Sequence, residues 1–236
     1  MKLSPPDADS VAHVREERIE VDGIPAKLYA TAHSKALLLL GHGGAHSKDS
    51  ERFVALARNY VTRTGLAVVC IDAVDHGERK PPMPALGIPP AWHSTASDQM
   101  VDDWRRTAQS LASIGPAVAY VGFSMGAIFG LPTVAAMASM KAAVFVVGGI
   151  PTGGGIDDAP LGPLLLTAAS RLEHVPVLLL NKTNDEIFSP EGTHALFDAI
   201  PGQRKQLMWW NGDHNAWPAE LIDESVTFIK RHTSFR

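Results

Sequence analysis

Beyond residue 35, six short apolar runs punctuate the chain, at 36–40, 66–71, 117–121, 142–147, 175–180 and 206–210. Each has the length of a strand and little polar alternation, the pattern of a strand covered on both faces. Longer amphipathic stretches separate them and predict helices over 49–64, 97–113, 125–140, 163–171, 190–199 and 219–231. Strands alternating with helices in this way predict an α/β fold, a mostly parallel central sheet with helices on both faces. Residues 12–21 and 24–31 flank Asp22-Gly23, a strong signal for a tight antiparallel hairpin at one edge of that sheet.

In sheets of this kind, ligands sit beyond the carboxyl ends of the strands. Chemistry is therefore sought in the residues that follow each apolar run. Two stretches interrupt the alternation. Residues 80–93 contain Pro81, Pro82, Pro84, Pro89 and Pro90, which predict a loop. Residues 151–163 are glycine-rich and loop-like. Both follow strands, so both are expected to wall a pocket.

Composition narrows the picture. The chain has 236 residues, with Lys+Arg 21 against Asp+Glu 25, a formal net charge of −4. That mild acidity, without a basic run, speaks against a nucleic-acid or membrane-surface partner. A chain of this length builds one core without metals or disulfides, so residues 1–236 are expected to form one domain, with 1–10 as a leader. No stretch has the apolar core of a secretory signal or the length of a membrane span. Cys70 is the single cysteine, which leaves no intrachain disulfide and no multi-cysteine metal site. A soluble, cytoplasmic protein is the simplest expectation.

The run at 117–121 continues into Gly122-Phe123-Ser124-Met125-Gly126 and then a helix. This is G-x-S-x-G between a strand and a helix, the setting in which a sharp turn exposes a hydroxyl. The ordinary alternative for Ser124 is a helix N-cap. A serine hydroxyl needs a general base. Of the ten histidines, His214 lies directly after the last apolar run, at the same sheet edge. The base in turn needs a carboxylate to hold its tautomer. Asp185 follows the run at 175–180, with Glu186 and Asp213 as competitors. The order Ser124, Asp185, His214 is the α/β-hydrolase order of triad residues. Oxyanion donors are expected from the Met125 N–H and from Gly44, with Gly43 close behind, in Gly41-His42-Gly43-Gly44. An ordinary tight loop is the alternative for those glycines.

On Gly41–Gly44, Gly122–Gly126, Asp185 and His214, the chain resembles the α/β-hydrolase superfamily. Gly41 to Ser50, followed by Cys70-Ile-Asp-Ala-Val-Asp-His76-Gly77-Glu78-Arg79, is more narrowly similar to the dienelactone-hydrolase-related serine hydrolases. True dienelactone hydrolases use a cysteine where this chain has Ser124, so their substrate specificity is not carried over. The resemblance implies a carboxylesterase-like serine hydrolase acting on a small ester through an acyl-enzyme, with no cofactor. Thioesters, amides, carbon–carbon bonds and acyl transfer are served by the same constellation, and a non-catalytic binding protein by the same fold. The superfamily often inserts a cap between the strands at 142–147 and 175–180. Here there is room for about one helix, so no large cap domain is expected. Phe123, Trp92, Trp210, Trp217 and Gly43 are expected around the pocket.

His76 and Arg79 are candidates to touch a substrate carboxylate, with loop-fixing hydrogen bonds as the ordinary alternative. His42 and His46 are four apart, but Gly43 and Gly44 between them forbid a regular helix, so no metal site is expected. Cys70 reads as an inert core thiol. Pro132 falls within the helix after Ser124 and either kinks it or ends it early. Gly126 and Gly130 would let that helix lie close to the sheet.

Overall fold

The computed structural model describes residues 13–79, 92–156 and 158–234. The leader expected over residues 1–10 and most of the proline-rich stretch, residues 80–91, lie outside the described residues.

The chain opens with β1 (Arg15–Val21) and β2 (Ile24–Ala30), paired antiparallel through Asp22 and Gly23. Both turn residues have positive φ, 50° and 78°, as the tightest hairpin turns require. The remaining strands are β3 (Leu37–Gly41), β4 (Ala67–Ile71), β5 (Ala117–Phe123), β6 (Ala142–Val146), β7 (Val177–Lys182) and β8 (Lys205–Trp210). The eight form one sheet in the order β1-β2-β4-β3-β5-β6-β7-β8. β2 meets β4 antiparallel, and every pairing from β4 through β8 is parallel. All carboxyl ends of β3 to β8 therefore point to one edge.

Among the described residues, six helices cover the sheet: α1 (Glu51–Thr64), α2 (Trp92–Ser110), α3 (Met125–Ala135), α4 (Leu161–Ala169), α5 (Pro190–Ala199) and α6 (Ala219–Thr233). Successive strand residues face opposite sides, which divides the core in two. Leu37, Leu39, Val69, Phe145 and Leu179 pack with Trp104, Ile128, Leu165 and Leu196 from α2 to α5. Leu38, Leu40, Val68, Val144 and Leu180 pack with Phe53, Leu56, Leu221 and Ile229 from α1 and α6. Each fully buried side chain of this kind contributes roughly 1.5–3 kcal/mol. Cys70 belongs to the second cluster, and burial drives its thiol pKa far up.

Two helix boundaries differ from expectation by five residues. α2 begins at Trp92 rather than residue 97, so Trp92 and His93 open a helix instead of closing a loop. The Asp158 carboxylate accepts the Ser94 N–H at 2.8 Å, a cap supplied from a distant loop. α3 ends at Ala135, five residues before the expected end at 140. Pro132 sits inside that helix, donating nothing to the Ile128 carbonyl, and the helix runs one further turn. Between β6 and β7 the chain holds α4 and one 3-10 turn, Leu172–His174. Among the described residues, no helix is long and apolar enough to cross a membrane.

Candidate active site

Where β5 ends, Ser124 adopts φ 53°, ψ −113°, a conformation disfavoured for a residue with a Cβ. The surroundings enforce it. A Cβ at Gly122 would strike the Gly126 carbonyl, and one at Gly126 would strike the Gly41 carbonyl. The two glycines thus allow β5, the start of α3 and the end of β3 to lie against one another. Phe123 and Met125 are buried, while Ser124 between them is partly exposed.

β7 and β8 deliver the other two groups to the same edge. His214 Nε2 lies 2.8 Å from Ser124 Oγ, and His214 Nδ1 lies 2.8 Å from Asp185 Oδ2. An ionised carboxylate only accepts, so Nδ1 carries the proton and Nε2 accepts from the serine hydroxyl. Asp185 Oδ1 accepts the Ile187 and Phe188 N–H groups, both at 2.9 Å. Burial opposes ionisation of Asp185, but the His214 bond and those two amides outweigh it. Its pKa is held below the usual carboxylate value. The competitors are engaged elsewhere: Glu186 accepts the His214 backbone N–H and Asp213 the Asn215 N–H.

Asn211 joins the acid and base loops. Its side-chain oxygen accepts from Thr183 Oγ1 and Asn184 Nδ2. Its carbonyl accepts from the buried Lys182 ammonium.

The loop after β3 passes close to Ser124. A Cβ built on Gly43 would lie 3.7 Å from Ser124 Cβ, and one on Gly44 would lie 3.9 Å from Met125 Sδ. This loop is stitched to the loop after β4. His42 Nδ1 donates to the Gly43 carbonyl at 2.9 Å, and Nε2 accepts the Ala73 N–H at 3.0 Å. Burial is the main cause that pulls the His42 pKa down to about 4, so the ring is neutral. The Gly43 carbonyl shares its peptide plane with the Gly44 N–H, so His42 sets the direction of that donor.

Beyond it, Lys48 is almost wholly buried, with its ammonium bonded to Asp72, Asp49 and Glu78. Desolvation opposes its charge, yet the three carboxylates win and raise its pKa. Asp72, fully buried, also accepts the backbone N–H groups of Lys48 and Glu78.

Several expected pocket residues lie elsewhere. His76 bonds the Val74 and Gly44 carbonyls at 2.8 and 2.7 Å, so its ring braces the loop after β3. Arg79 reaches the Asp72 carbonyl and the Asp103 carboxylate. Phe123 is 0% exposed and packs on Trp217 and Phe53, at ring-centroid distances of 4.6 and 5.6 Å. The last residue of β5 points to the α1–α6 side, so Phe123 is core beneath the site. Trp217 is buried too, and its indole N–H holds the His214 carbonyl at 2.9 Å. It supports the base loop and is not a pocket wall. The Trp92 side chain lies outside the described residues. Among the described residues, no group of three or more His, Cys, Asp or Glu side chains is arranged to hold a metal ion.

Residues 37–226 match the model of the alpha/beta hydrolase family, and the chain belongs to that family. A comparison with curated proteins found no match. Among solved structures, a PEG-bound cold-adapted esterase from an Arctic intertidal metagenomic library is 27% identical. It covers 98% of this chain and 99% of its own, with a TM-score of 0.77. TT1662 from Thermus thermophilus is 24% identical over 95% of this chain and 100% of its own, with a TM-score of 0.76. The Pyrococcus furiosus esterase Pf2001 shares the fold at 14% identity, covering 94% of each chain with a TM-score of 0.70.

Proposed function

We propose that this protein hydrolyses carboxylic esters of small molecules through an acyl-enzyme on Ser124. The observation that carries this reading is the unbroken pair of 2.8 Å hydrogen bonds from Ser124 through His214 to Asp185. The esterase that is 27% identical over nearly the whole chain adds support for ester bonds as the target.

In the proposed cycle, Ser124 Oγ attacks the ester carbonyl as His214 Nε2 takes its proton. Asp185 stabilises the imidazolium that forms. The backbone N–H groups of Met125 and Gly44 hold the developing oxyanion, with the N-terminus of α3 adding its positive dipole end. His214 then protonates the departing alcohol, and water deacylates Ser124 by the same steps in reverse. Nothing in this cycle calls for a cofactor. A single short helix between β6 and β7 favours short acyl groups over long lipids.

A matched panel tests the reading: ester, thioester, amide and lactone substrates carrying the same acyl group, with an acyl-length series for the esters. Ester turnover should dominate and should peak at short chains. Absence of ester turnover would overturn the function, and a peak at long chains would overturn the chain-length reading alone.

A further inference from the structure

We infer that His46 and Arg52, beside the loops that carry Gly43 and His214, select esters that carry a second, negatively charged group, a carboxylate. The inference rests on the ester-hydrolase reading above. Arg52 is the second residue of α1, and its guanidinium lies over the Trp217 ring, 3.7 Å from its centroid. One of its N–H groups donates to the Asn215 carbonyl at 3.1 Å, the residue after His214. A guanidinium has five N–H donors, and among the described residues no carboxylate lies within ion-pair distance of this one. Arg18, Arg58, Arg63, Arg79 and Arg106 all have such a partner. Burial is the cause that lowers the Arg52 pKa, although an arginine stays charged. A half-buried cation has thus lost water without gaining a counter-charge.

The position of this cation relates it to the reaction. Trp217, on which it rests, holds the His214 carbonyl. His46 neighbours both the Arg52 charge and the Gly43 loop beside Ser124. Its ring edge would sit 3.5 Å from a Cβ on Gly43, the same Cβ that would touch Ser124. The ring packs on Phe53 at 5.3 Å and Trp217 at 6.3 Å between centroids. Among the described residues, neither of its nitrogens has a hydrogen-bond partner. Burial first, and the Arg52 charge second, hold its pKa below the usual value. Asp185, Glu186 and Asp213, in the loops around His214, already accept bonds from His214 and Asn215, and Asp49, three residues from Arg52, is paired with Arg18 and Lys48. From Ser124 outward the surface therefore offers a neutral imidazole and then an unpaired, planar cation. That sequence suits a substrate with an ester at one end and a carboxylate at the other, bound by a charge-assisted fork.

The test compares charged and uncharged twins. On the acyl side, the 4-nitrophenyl monoester of adipic acid is set against its methyl-ester twin. On the alcohol side, the acetyl ester of 4-hydroxyphenylacetate is set against that of its methyl ester. Each kcat/KM ratio is corrected for the intrinsic hydroxide reactivity of the pair. In at least one series the anion should be preferred by about tenfold or more at low salt, and salt should erode the preference. Arg52→Gln keeps a donor for Asn215 and should bring the ratio to near one, while Arg52→Lys should retain part of it. A ratio below twofold in both series overturns the inference and leaves the hydrolase reading standing. A preference that survives Arg52→Gln also overturns it. Absence of turnover with every ester overturns the hydrolase reading and this inference together.

Discussion

The two sides of the site are built from different materials. On the β7–β8 side, backbone amides hold Asp185, the Trp217 indole and the Glu186 carboxylate hold the His214 backbone, and Asn211 with Lys182 ties the two loops together, while Asp185 is the one charged group of the proposed proton path. On the β3–β4 side, buried ions and a neutral imidazole hold the backbone: Lys48 among three carboxylates, Arg79 on Asp103, and His42 between Gly43 and Ala73. The difference follows from what each side has to do. Groups that exchange a proton must sit where both protonation states are accessible. Groups that only aim a peptide plane serve best when titration does not reach them. Ion pairs buried this deeply contribute little net stability, but breaking one exposes the full desolvation cost of the partner left behind.

That contrast yields expected outcomes that break it side by side. The largest effect belongs to the proton path: Ser124→Ala should lower kcat by on the order of 10⁴–10⁶-fold in steady-state ester assays, with the melting temperature nearly unchanged. Asp185→Asn leaves an amide facing His214 and admits the wrong tautomer, and should cost about 10⁴-fold in kcat. On the other side the first loss should be stability. Asp72→Asn leaves Lys48 buried with a neutral neighbour, and should cost about 3–5 kcal/mol in urea unfolding. A loss under 1 kcal/mol would show that Asp49 and Glu78 carry Lys48 without it. His42→Phe should lower kcat by roughly 10–10²-fold with little change in KM, less than the 10²–10³-fold of removing an oxyanion donor outright. A change confined to KM would contradict its role in aiming Gly44.

The last expected outcome concerns pH. The folded pKa of His42, about 4, lies below its ordinary value of 6.5. Its neutral form therefore stabilises the fold above pH 6.5, and that contribution is lost as pH falls toward 4. One such group adds a slope of about 1.4 kcal/mol per pH unit within this window. Chemical unfolding at a series of pH values should show the slope reduced by about one proton in His42→Phe. His93, pulled down to about 4 mainly by burial, supplies a comparable slope that the substitution leaves in place.

How much could be read beforehand followed the range of the interactions. Apolar runs and an Asp-Gly turn are local signals, and the sheet, its hairpin and the elbow at Ser124 were legible from them. Ser124, Asp185 and His214 were singled out because each follows a strand, and the parallel sheet brings all three to one edge. The start of α2 was not legible, because its cap is Asp158, over sixty residues away. Phe123 and Trp217 looked like pocket walls because they adjoin site residues. Their side chains turn to the α1–α6 face, a choice made by the packing of Phe53. Lys48 gave no sign of burial, since nothing near it in the chain announces that Asp72 and Glu78 will close around it. Asp72, a carboxylate at the end of an apolar strand, was the one available hint.

The central claim is that Ser124 is the nucleophile, held ready by His214 and Asp185. Its most direct test is reaction of the intact protein with a fluorophosphonate, read by intact mass and by mapping of the modified peptide. One adduct per chain is expected on the peptide containing Ser124, and none on Ser124→Ala. An adduct located on another residue, or a Ser124→Ala protein that is still labelled and still turns over esters, would contradict it.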